Sequence, residues 1–446
     1  MIRASLTFPK DFLWGTATSS HQVEGENRNN DWWRWETEGR VMQGQVSGRA
    51  CDWWQGRWQE DLDRAAETGQ KAHRLSVEWS RVEPSPALWD ESALDAYREM
   101  LHGALDRGLI PVVTLHHFTN PLWVADRGGW SNPAIVDWFA RYVRKVARSL
   151  HGLAGLWVTI NEPNVLGVQA YLRGEFPPGL RNLRSTVTVL ENLTRAHAAA
   201  YRELKAADPD SLVGLAHHYR GMIPRHSASP LDRWIARLRS RLFNDLIPAA
   251  LADGWFRFPA RTRRLDVRGL QDFFGLNYYT QERVAFDPRR AGELFARGLF
   301  APDADLSGSG FLANAPEGLW AALRWARGFG LPLYILENGV DDAADRIRPR
   351  YLALHLREVW RAANFNWGVR GYFHWSIVDN FEWSQGWDQR FGLWELDPKT
   401  QARRKRPSAD LYAEICRTNA LSSEGVGRYA PEVLERIFPS SKPRLC

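Results

Sequence analysis

Two glutamates stand in similar surroundings, each directly after a short apolar run. Glu162 follows "LWVTIN", and Glu337 follows "LYIL". A carboxylate at the end of a buried run is costly to remove from water, so it needs a partner or a use. Taken singly, either glutamate is explained by a salt bridge to an arginine. Taken together, two carboxyl groups are what cleavage of a glycosidic bond requires, one giving a proton to the leaving oxygen and the other attacking or stabilising the anomeric carbon.

The distance between the two carboxyl groups would decide the stereochemistry of such a reaction. A separation of about 5–5.5 Å permits direct attack and retention, whereas roughly 6.5–9.5 Å leaves room for a water molecule and gives inversion. The sequence does not give this distance, so the residues alone leave both outcomes open.

Eight short β-type runs alternate with helical stretches along the chain. We predict strands near residues 12–16, 72–77, 110–115, 156–160, 212–216, 272–276, 332–336 and 371–375. Residues 91–108 show the helical pattern between them, with Leu94, Tyr97, Leu101 and Leu105 on one face and Gly108 at the end. Alternation of this kind indicates a parallel sheet, and eight units indicate an α/β fold with one closed (β/α)8 TIM barrel.

We place the barrel at residues 1–418 and treat residues 419–446 as a C-terminal tail. The stretch "PEVLERIF" in that tail suits one short helix docked on the barrel, and a disordered tail is an equal alternative. A barrel also predicts where its chemistry lies, because the loops after the strands form the pocket. Polar and aromatic residues follow every predicted strand, in "ATSSHQVEG", "EWSRVEP", "HHFTNPLW", "NEPN", "HHYRG", "NYYTQE", "ENGV" and "SIVDNFEW".

Composition excludes several other classes of protein. The net charge is +6, but the basic residues are dispersed rather than gathered on one element, which argues against nucleic-acid binding. No apolar run is long enough to span a bilayer, and the N-terminus lacks an apolar signal core, so we expect a soluble, cytoplasmic protein that does not bind membranes. The three cysteines are far apart and fit a reducing compartment.

Tryptophan is abundant, at 23 residues, and its flat apolar face with one N–H donor suits sugar rings as well as cores.

Seven segments resemble the signature segments of glycoside hydrolase family 1, the β-glucosidase and β-galactosidase family. In chain order they are "FLWGTATSSHQVEG", "HRLSVEWSRVEP", "VVTLHHFTNPLW", "WVTINEPN", "DFFGLNYYT", "LYILENGV" and "GYFHWSIVDNFEWSQGWDQRFGL". They run from about residue 8 to residue 410 in the family's order. The resemblance implies a retaining, exo-acting β-glycosidase that needs no cofactor and no metal.

The resemblance also implies roles for individual residues. Glu162 would be the acid/base, protonated at the start, and Glu337 the nucleophile that forms a glycosyl-enzyme. Arg74 and Tyr279 match positions that keep the nucleophile ionised, and Asn161 would donate to the sugar 2-hydroxyl. The remaining substrate-binding positions implied by the family are Gln22, His117, Trp123, Asn277, Trp375, Glu382 and Trp383.

The implied substrates are unphosphorylated β-glucosides or short β-linked oligosaccharides. Glu382 carries this expectation, because a carboxylate that accepts from the 4- and 6-hydroxyls would repel a 6-phosphate. The preferred glycone, whether glucose, galactose or fucose, and the choice between a monomer and a homo-oligomer are left open by the sequence.

Three alternative functions were considered. A transglycosylase would use the same glycosyl-enzyme with a sugar or alcohol as acceptor. A non-catalytic sugar-binding barrel would be expected to lose one of the two carboxyl groups, and both are present. A metal-dependent hydrolase could use the pairs His116–His117 and His217–His218, but such enzymes usually place His-x-His on the first strand, which offers only His21.

Overall fold

A closed barrel of eight parallel strands forms the centre of the molecule. The computed structural model describes residues 4–259 and 261–439. The barrel strands, named in chain order, are β1 (Leu13–Ala17), β2 (Ala72–Ser76), β3 (Ile110–Thr114), β4 (Leu156–Asn161), β5 (Leu212–Pro224), β6 (Phe273–Phe286), β7 (Leu333–Asn338) and β8 (Val369–Trp375). All eight predicted strands are present, and the predicted TIM barrel is confirmed.

Parallel pairing runs around the barrel without a gap. Each strand is hydrogen-bonded to its neighbours in chain order, β8 pairs with β1, and pairing of β5 with β6 completes the ring. Strands β5 and β6 are longer than predicted, because they continue to pair with each other above the barrel as far as Pro224 and Val284. This extension forms one wall of the space above the carboxyl ends of the strands.

Helices surround the barrel and pack on it through apolar faces. The helix Glu91–Asp106 is typical: Asp90 caps its N-terminus by accepting from the backbone N–H of Ala93, and Leu94, Tyr97 and Leu101 are buried. Leu105, which the periodicity places on the same face, is exposed. The α-helices are Ser20–Val23, Asp31–Thr37, Trp58–Glu67, Trp79–Val82, Glu91–Asp106, Leu122–Ala125, Ile135–Ser149, Pro163–Val168, Leu183–Ala207, Pro230–Ser240, Leu246–Asp253, Pro316–Ala326, Arg348–Asn364, Pro407–Thr418, Ser423–Tyr429 and Leu434–Ile437.

Short elements connect the barrel units and shape the rim. Two π-helical segments, Gln169–Arg173 and Arg241–Asp245, extend helices that border the pocket. The strands outside the barrel are Ser5–Thr7, Trp255–Phe258, Arg261–Arg264, Ala296–Leu299, Trp394–Leu396, Arg403–Lys405 and Ala420–Ser422. The 3₁₀ turns are Met42–Gly44, Trp53–Gln55, Gly129–Ser131, Ala291–Glu293, Arg327–Phe329, Trp383–Gln385 and Pro431–Val433.

The C-terminal segment is tied to the N-terminal one. Ala420–Ser422 pairs antiparallel with Ser5–Thr7, and the helix Ser423–Tyr429 follows it. The stretch "PEVLERIF" forms the turn Pro431–Val433 and the short helix Leu434–Ile437. Val426, Val433 and Ile437 from this segment are buried. Residues 440–446, the end of the expected tail, lie outside the described residues.

Three further features concern the length of the helices, the cysteines and the tryptophans. Within the described part of the chain, every helix is too short or too polar to cross a membrane. Cys51 and Cys416 are both buried, unpaired thiols. Many of the tryptophans belong to the core, since Trp14, Trp32, Trp53, Trp79 and Trp130 are almost completely buried.

Candidate active site

Glu162 is positioned by an abrupt change of backbone direction at the end of β4. It adopts a left-handed conformation with φ of 45°, which is uncommon for a residue with a side chain, and the helix Pro163–Val168 begins directly after it. Its backbone N–H still donates to the carbonyl of Ala216 on β5, at 2.7 Å. Backbone strain of this kind is found where a side chain must be aimed, and the Glu162 carboxyl is accordingly buried at the top of the barrel.

Among the described residues, the carboxyl group of Glu162 has two hydrogen-bond partners, and both use the same oxygen. The side-chain N–H of Asn277 donates to Oε1 at 2.9 Å, and Nδ1 of His218 lies 2.8 Å from the same atom. Neither contact uses Oε2. A carboxyl arranged in this way can carry a proton on Oε2 while Oε1 accepts.

Glu337, at the end of β7, is held by stronger donors. The guanidinium of Arg74 donates from Nη1 to Oε1 at 2.5 Å, and the hydroxyl of Tyr279 donates to Oε2 at 2.7 Å. Arg74 is fully buried, and its Nε donates to Thr114 on β3 at 3.0 Å. Both oxygens of Glu337 therefore accept, which favours its ionised form.

Two asparagines join the carboxyl groups into one network. Asn161 Oδ1 accepts from Nη2 of Arg74 at 2.7 Å and from Nδ2 of Asn277 at 3.1 Å. Asn277 also bonds to Glu162, and the β6–β7 register places it beside Glu337. The two glutamates, 175 residues apart in sequence, thus meet in one site (337 minus 162).

The pKa of Glu337 is set by its burial and by its charged and hydrogen-bonding neighbours. Burial raises the pKa of Glu337 to about 7; Arg74 opposes this rise, the charge of Glu162 adds to it, and Tyr279 lowers it. Interacting carboxyls lose their protons in steps that belong to the pair. The guanidinium and the phenol hydroxyl that donate to Glu337 both favour its ionised form.

A second group of side chains lies beside the carboxyl pair. Nε2 of Gln22 donates to Glu382 at 3.1 Å, and burial raises the pKa of Glu382 to about 8. The ring of His117 is stacked between Trp383, with centroids 5.8 Å apart, and Trp375, at 6.0 Å. These residues, brought from β1, β3 and β8, form a polar and aromatic end of the cavity.

His117 is neutral and has a defined orientation. Burial lowers its pKa well below the usual histidine value, and neighbouring Arg74 adds to this effect. Nδ2 of Asn161 lies 3.0 Å from Nε2 of His117, and since Oδ1 of Asn161 already accepts twice, Nδ2 must be the donor. Nδ1 of His117 therefore carries the hydrogen, and within the described residues it has no partner. It is a buried donor suited to a sugar hydroxyl.

The predicted site residues converge with one exception. Glu162, Glu337, Asn161, His117, Tyr279, Trp375, Glu382 and Trp383 line one cavity of about 830 Å³, and Arg74, Gln22 and Asn277 bond directly to them. The structure places Trp123 elsewhere: its indole N–H donates to the carbonyl of Glu83 at 2.9 Å, and its ring packs on Trp79 and Trp138.

His218 was missed as a site residue by sequence reasoning, which considered it only as a metal ligand. On β5, His217 packs on Phe274 and Trp325 away from the site, whereas His218 reaches Glu162 and stacks on Tyr279 with centroids 5.8 Å apart. The alternation of side chains along a strand was the signal that could have separated them. Among the described residues, no three His, Cys, Asp or Glu side chains are grouped so that they could hold a metal ion.

A TIM barrel with two buried carboxyl groups and a sugar-sized polar pocket at its C-terminal face defines a glycoside hydrolase. The family model for Glycosyl hydrolase family 1 matches residues 4–421. Beta-glucosidase A of Thermotoga maritima is 30% identical over 93% of this chain and 98% of its own length. Beta-galactosidase of Sulfolobus acidocaldarius is 33% identical over 98% of this chain and 99% of its own. A solved structure of a beta-glycosidase from Pyrococcus horikoshii superposes with a TM-score of 0.90 at 37% identity, covering 96% and 98% of the two chains. The chain belongs to glycosyl hydrolase family 1.

Proposed function

We propose that this glycoside hydrolase is a retaining, exo-acting β-glycosidase. In this proposal Glu337 is the nucleophile and Glu162 is the acid/base. The observation that carries the proposal is the asymmetry of the donors, because Glu337 accepts from Arg74 and Tyr279 on both oxygens while Glu162 keeps Oε2 outside its two contacts. The different donors thereby give two glutamates different roles, one as the ionised nucleophile and the other as the acid.

The first chemical step forms a covalent intermediate. Glu337 attacks the anomeric carbon, the glycosidic C–O bond breaks, and Glu162 gives its proton to the leaving oxygen. Arg74 and Tyr279 hold the attacking carboxylate in place. Asn161, which bonds to Arg74, Asn277 and His117, has a second amide hydrogen to offer to the sugar 2-hydroxyl, a contact that strengthens in the transition state.

The second step releases the sugar with its original configuration. Once Glu337 is esterified, its negative charge is gone, and Glu162 is free to act as a base. It takes a proton from water, whose oxygen attacks the anomeric carbon from the face that the leaving group vacated. The ester bond to Glu337 breaks as this bond forms, and the Glu337 carboxylate is restored. His218 and Asn277 both donate to the Glu162 carboxylate that exists between the two steps.

The glycone is proposed to be an unphosphorylated β-D-glucosyl, galactosyl or fucosyl residue. Sugar hydroxyls both donate and accept, so they suit Glu382 in either protonation state. With its pKa raised to about 8, Glu382 is largely protonated at neutral pH, so simple repulsion of a phosphate is weaker than the sequence suggested. A buried phosphate would instead lack a cation, since Gln22, Trp375 and Trp383 beside Glu382 carry none.

A panel of p-nitrophenyl β-glycosides tests the proposal. Wild type should hydrolyse the glucoside, galactoside and fucoside but not the 6-phosphoglucoside. Glu162→Ala and Glu337→Ala should lower kcat by at least about 10³-fold, since removing either group disables the pair. Glu67→Ala, which removes an exposed glutamate, is the matched control and should leave turnover unchanged. Normal turnover by the Glu337 variant would refute the proposal.

We also propose a cytoplasmic location. The buried thiols Cys51 and Cys416 are unpaired in the structure, as is usual in a reducing compartment. Fractionation of the source cells with an activity assay tests this directly, and activity confined to the medium would contradict it.

A further inference from the structure

The cavity continues beyond the carboxyl pair on the side where the leaving group must lie. Glu162 protonates the leaving oxygen, so the leaving group sits next to Glu162 and its partner His218. The ring of His218 meets Phe243 edge to face, with centroids 5.9 Å apart, and Arg220 follows two residues further along β5. Phe243 and Arg220 both line the cavity, which places them at the aglycone end.

The walls of this aglycone end are largely apolar. The segment that starts at Glu162 contributes Val165, Val168 and Leu172, and the facing helices contribute Leu190, Leu242 and Phe243. Such a surface is suited to an aromatic or aliphatic leaving group rather than to a second sugar, whose hydroxyls would lose their hydrogen bonds to water.

Set into these apolar walls is an arginine cluster around a buried carboxylate. Glu282 on β6 lies 3.2 Å from Nε of Arg220 and 3.3 Å from Nη1 of Arg239. Glu282 is 5% exposed, and the two arginine side chains are only 24% and 18% exposed. One carboxylate therefore faces two largely buried guanidinium groups.

A second glutamate repeats the arrangement nearer the rim. Glu293 lies 2.6 Å from Arg290 and 3.7 Å from Arg173, and Asp287 lies 3.9 Å from Arg290. Arg181, also in the lining, donates from Nε to the backbone carbonyl of Arg173 at 3.0 Å. Outside the three carboxyls at the sugar end, five arginines and three glutamates line the cavity: Arg173, Arg181, Arg220, Arg239, Arg290, Glu175, Glu282 and Glu293. These lining residues carry an excess of two positive charges, which Asp287, outside the lining but facing Arg290, reduces to one.

The electrostatics of Arg239 agree with a local excess of positive charge. Burial lowers its pKa, Glu282 opposes this, and the charges of Arg220 and Arg173 lower it further. Positive charges that are partly desolvated and close together are stabilised by an anion placed among them. Arginine also offers paired N–H donors that match a carboxylate, sulfate or phosphate.

We propose that the aglycone end of the cavity binds an anionic group on an apolar leaving group, so that aryl or alkyl β-glycosides bearing a remote carboxylate are preferred over their neutral analogues. The inference rests on the proposed β-glycosidase function and extends it to a class of aglycone. The apolar walls hold the body of the leaving group, and Arg220, Arg239 and Arg290 hold its charge.

A matched pair of substrates tests the inference. One is 4-(2-carboxyethyl)phenyl β-D-glucoside and the other is its methyl ester, which lacks the negative charge. Two methylene groups separate the carboxyl group from the ring, so the two phenols are almost equally good leaving groups. Wild type should show a kcat/KM about tenfold higher for the acid, as expected for a hydrogen-bonded charge pair. This ratio should fall towards one when the salt concentration is raised to about 1 M, because salt screens partly exposed charges.

Variants locate the effect. Arg239→Gln and Arg290→Gln should each lower the acid-to-ester ratio, and Arg290→Glu should invert it. Arg289→Gln is the matched control, because Arg289 is the exposed neighbour of Arg290 outside the cavity lining and its loss changes the net charge equally. The ratio is measured within each variant, so a general loss of activity does not imitate the result. If Arg239→Gln does not fold, the variant of the more exposed Arg290 still tests the inference.

The outcomes separate the two proposals. Ester hydrolysis without a preference for the acid, or a preference that both arginine variants retain, would overturn the anionic-aglycone inference alone. Hydrolysis of neither substrate, nor of p-nitrophenyl β-D-glucoside, would contradict the proposed function and this inference with it.

Discussion

At the scale of single residues, the site gives its two glutamates different hydrogen-bond partners. Both oxygens of Glu337 accept from Arg74 and Tyr279, and one of those donors is a buried guanidinium. Glu162 uses one oxygen alone, which accepts from Asn277 and lies 2.8 Å from Nδ1 of His218. In the proposed mechanism the pair starts with one proton, which Glu162 gives to the leaving group.

The pH dependence of the reaction should report this shared proton. The pKa of Glu337 is raised to about 7 by burial and by the charge of Glu162, so the last proton leaves the pair near that pH. Since the reaction begins with that proton in place, kcat/KM for p-nitrophenyl β-D-glucoside should fall as pH rises through about 7. A profile that stays level to pH 9 would contradict the assignment.

His218 should affect the pH at which this proton is lost, without contacting the sugar. His218→Phe keeps a ring beside Tyr279 and removes the contact with Glu162 Oε1, so the ionised form of Glu162 loses a donor. We expect the basic limb of the pH profile to move to higher pH and kcat to fall about tenfold through a slower second step, in keeping with the loss of one charged hydrogen bond.

The neighbouring His217→Phe variant is the control for His218. His217 packs on Phe274 and Trp325 on the other side of β5, so its loss should leave the position of the basic limb unchanged. Equal shifts in the two variants would show that His218 acts only through general packing.

At the scale of elements, the loop after β8 brings Glu382 and Trp383 to the site and is fastened by an ion pair. Asp379 is completely buried and forms a bidentate pair with Arg406, whose Nη1 and Nη2 donate to Oδ1 and Oδ2 at 2.8 and 2.9 Å. It also accepts from the backbone N–H of Gly392 at 2.8 Å. The strand Arg403–Lys405, which ends just before Arg406, is thereby fixed to the sugar-binding loop.

Removal of one partner of this pair should be costly. Asp379→Asn leaves the buried guanidinium of Arg406 without its counter-charge, so we expect the free energy of unfolding to drop by about 3–5 kcal/mol. In the folded variant, KM for the glucoside should rise more than kcat falls. Asp410→Asn removes the exposed partner of Lys405 and should cost only about 0–1 kcal/mol. Denaturant unfolding compares the two, and equal losses would contradict this role for Asp379.

The barrel could be predicted from sequence because most strands contain a short, largely apolar run that ends in polar residues, although β2 also contains His73 and Arg74. The continuation of β5 to Pro224 and of β6 to Phe286 could not, because it depends on their pairing with each other rather than on a local pattern. The contacts of Trp123 with Trp79 and Trp138 were equally hidden, since they depend on which face of a short helix points inward. His218 is different, because alternation along β5 separates it from His217. Leu105 shows the same limit: its helical position is right, but its side chain is left 41% exposed.

At the scale of the whole molecule, burial of many ionisable groups links stability to pH. Burial raises the pKa of four carboxyls, Glu24, Asp31 and Glu337 to about 7 and Glu382 to about 8. It lowers the pKa of six histidines to about 3 or 4: His73, His116, His197, His217, His355 and His374. The two sets act in opposite directions.

The fold should be most stable near pH 6.5. A carboxyl with a raised pKa contributes fully below its unfolded value of about 4, and that contribution is lost as pH rises through 7 to 8. A histidine with a lowered pKa destabilises the fold as pH falls below about 6.5, because the unfolded chain then binds the proton. Above pH 6.5 only the carboxyls act, and they should cost on the order of a few kcal/mol by pH 8, or several degrees in Tm.

Calorimetry across this range checks the prediction, and Glu382→Gln provides its control. The variant cannot ionise at that position, so its Tm should fall less between pH 6.5 and pH 8 than that of the wild type. A Tm that is constant or rises over this interval would contradict the prediction.

The central claim is the division of labour between Glu162 and Glu337, and rescue by azide tests it most directly. Each alanine variant is incubated with 2,4-dinitrophenyl β-D-glucoside and sodium azide, and the product is identified by NMR. Glu162→Ala should give the β-glucosyl azide, because azide attacks the glycosyl-enzyme from the face that the leaving group vacated. Glu337→Ala should give the α-glucosyl azide, because azide takes the place of the missing nucleophile. The opposite anomers, or undiminished turnover by Glu337→Ala without azide, would contradict the account.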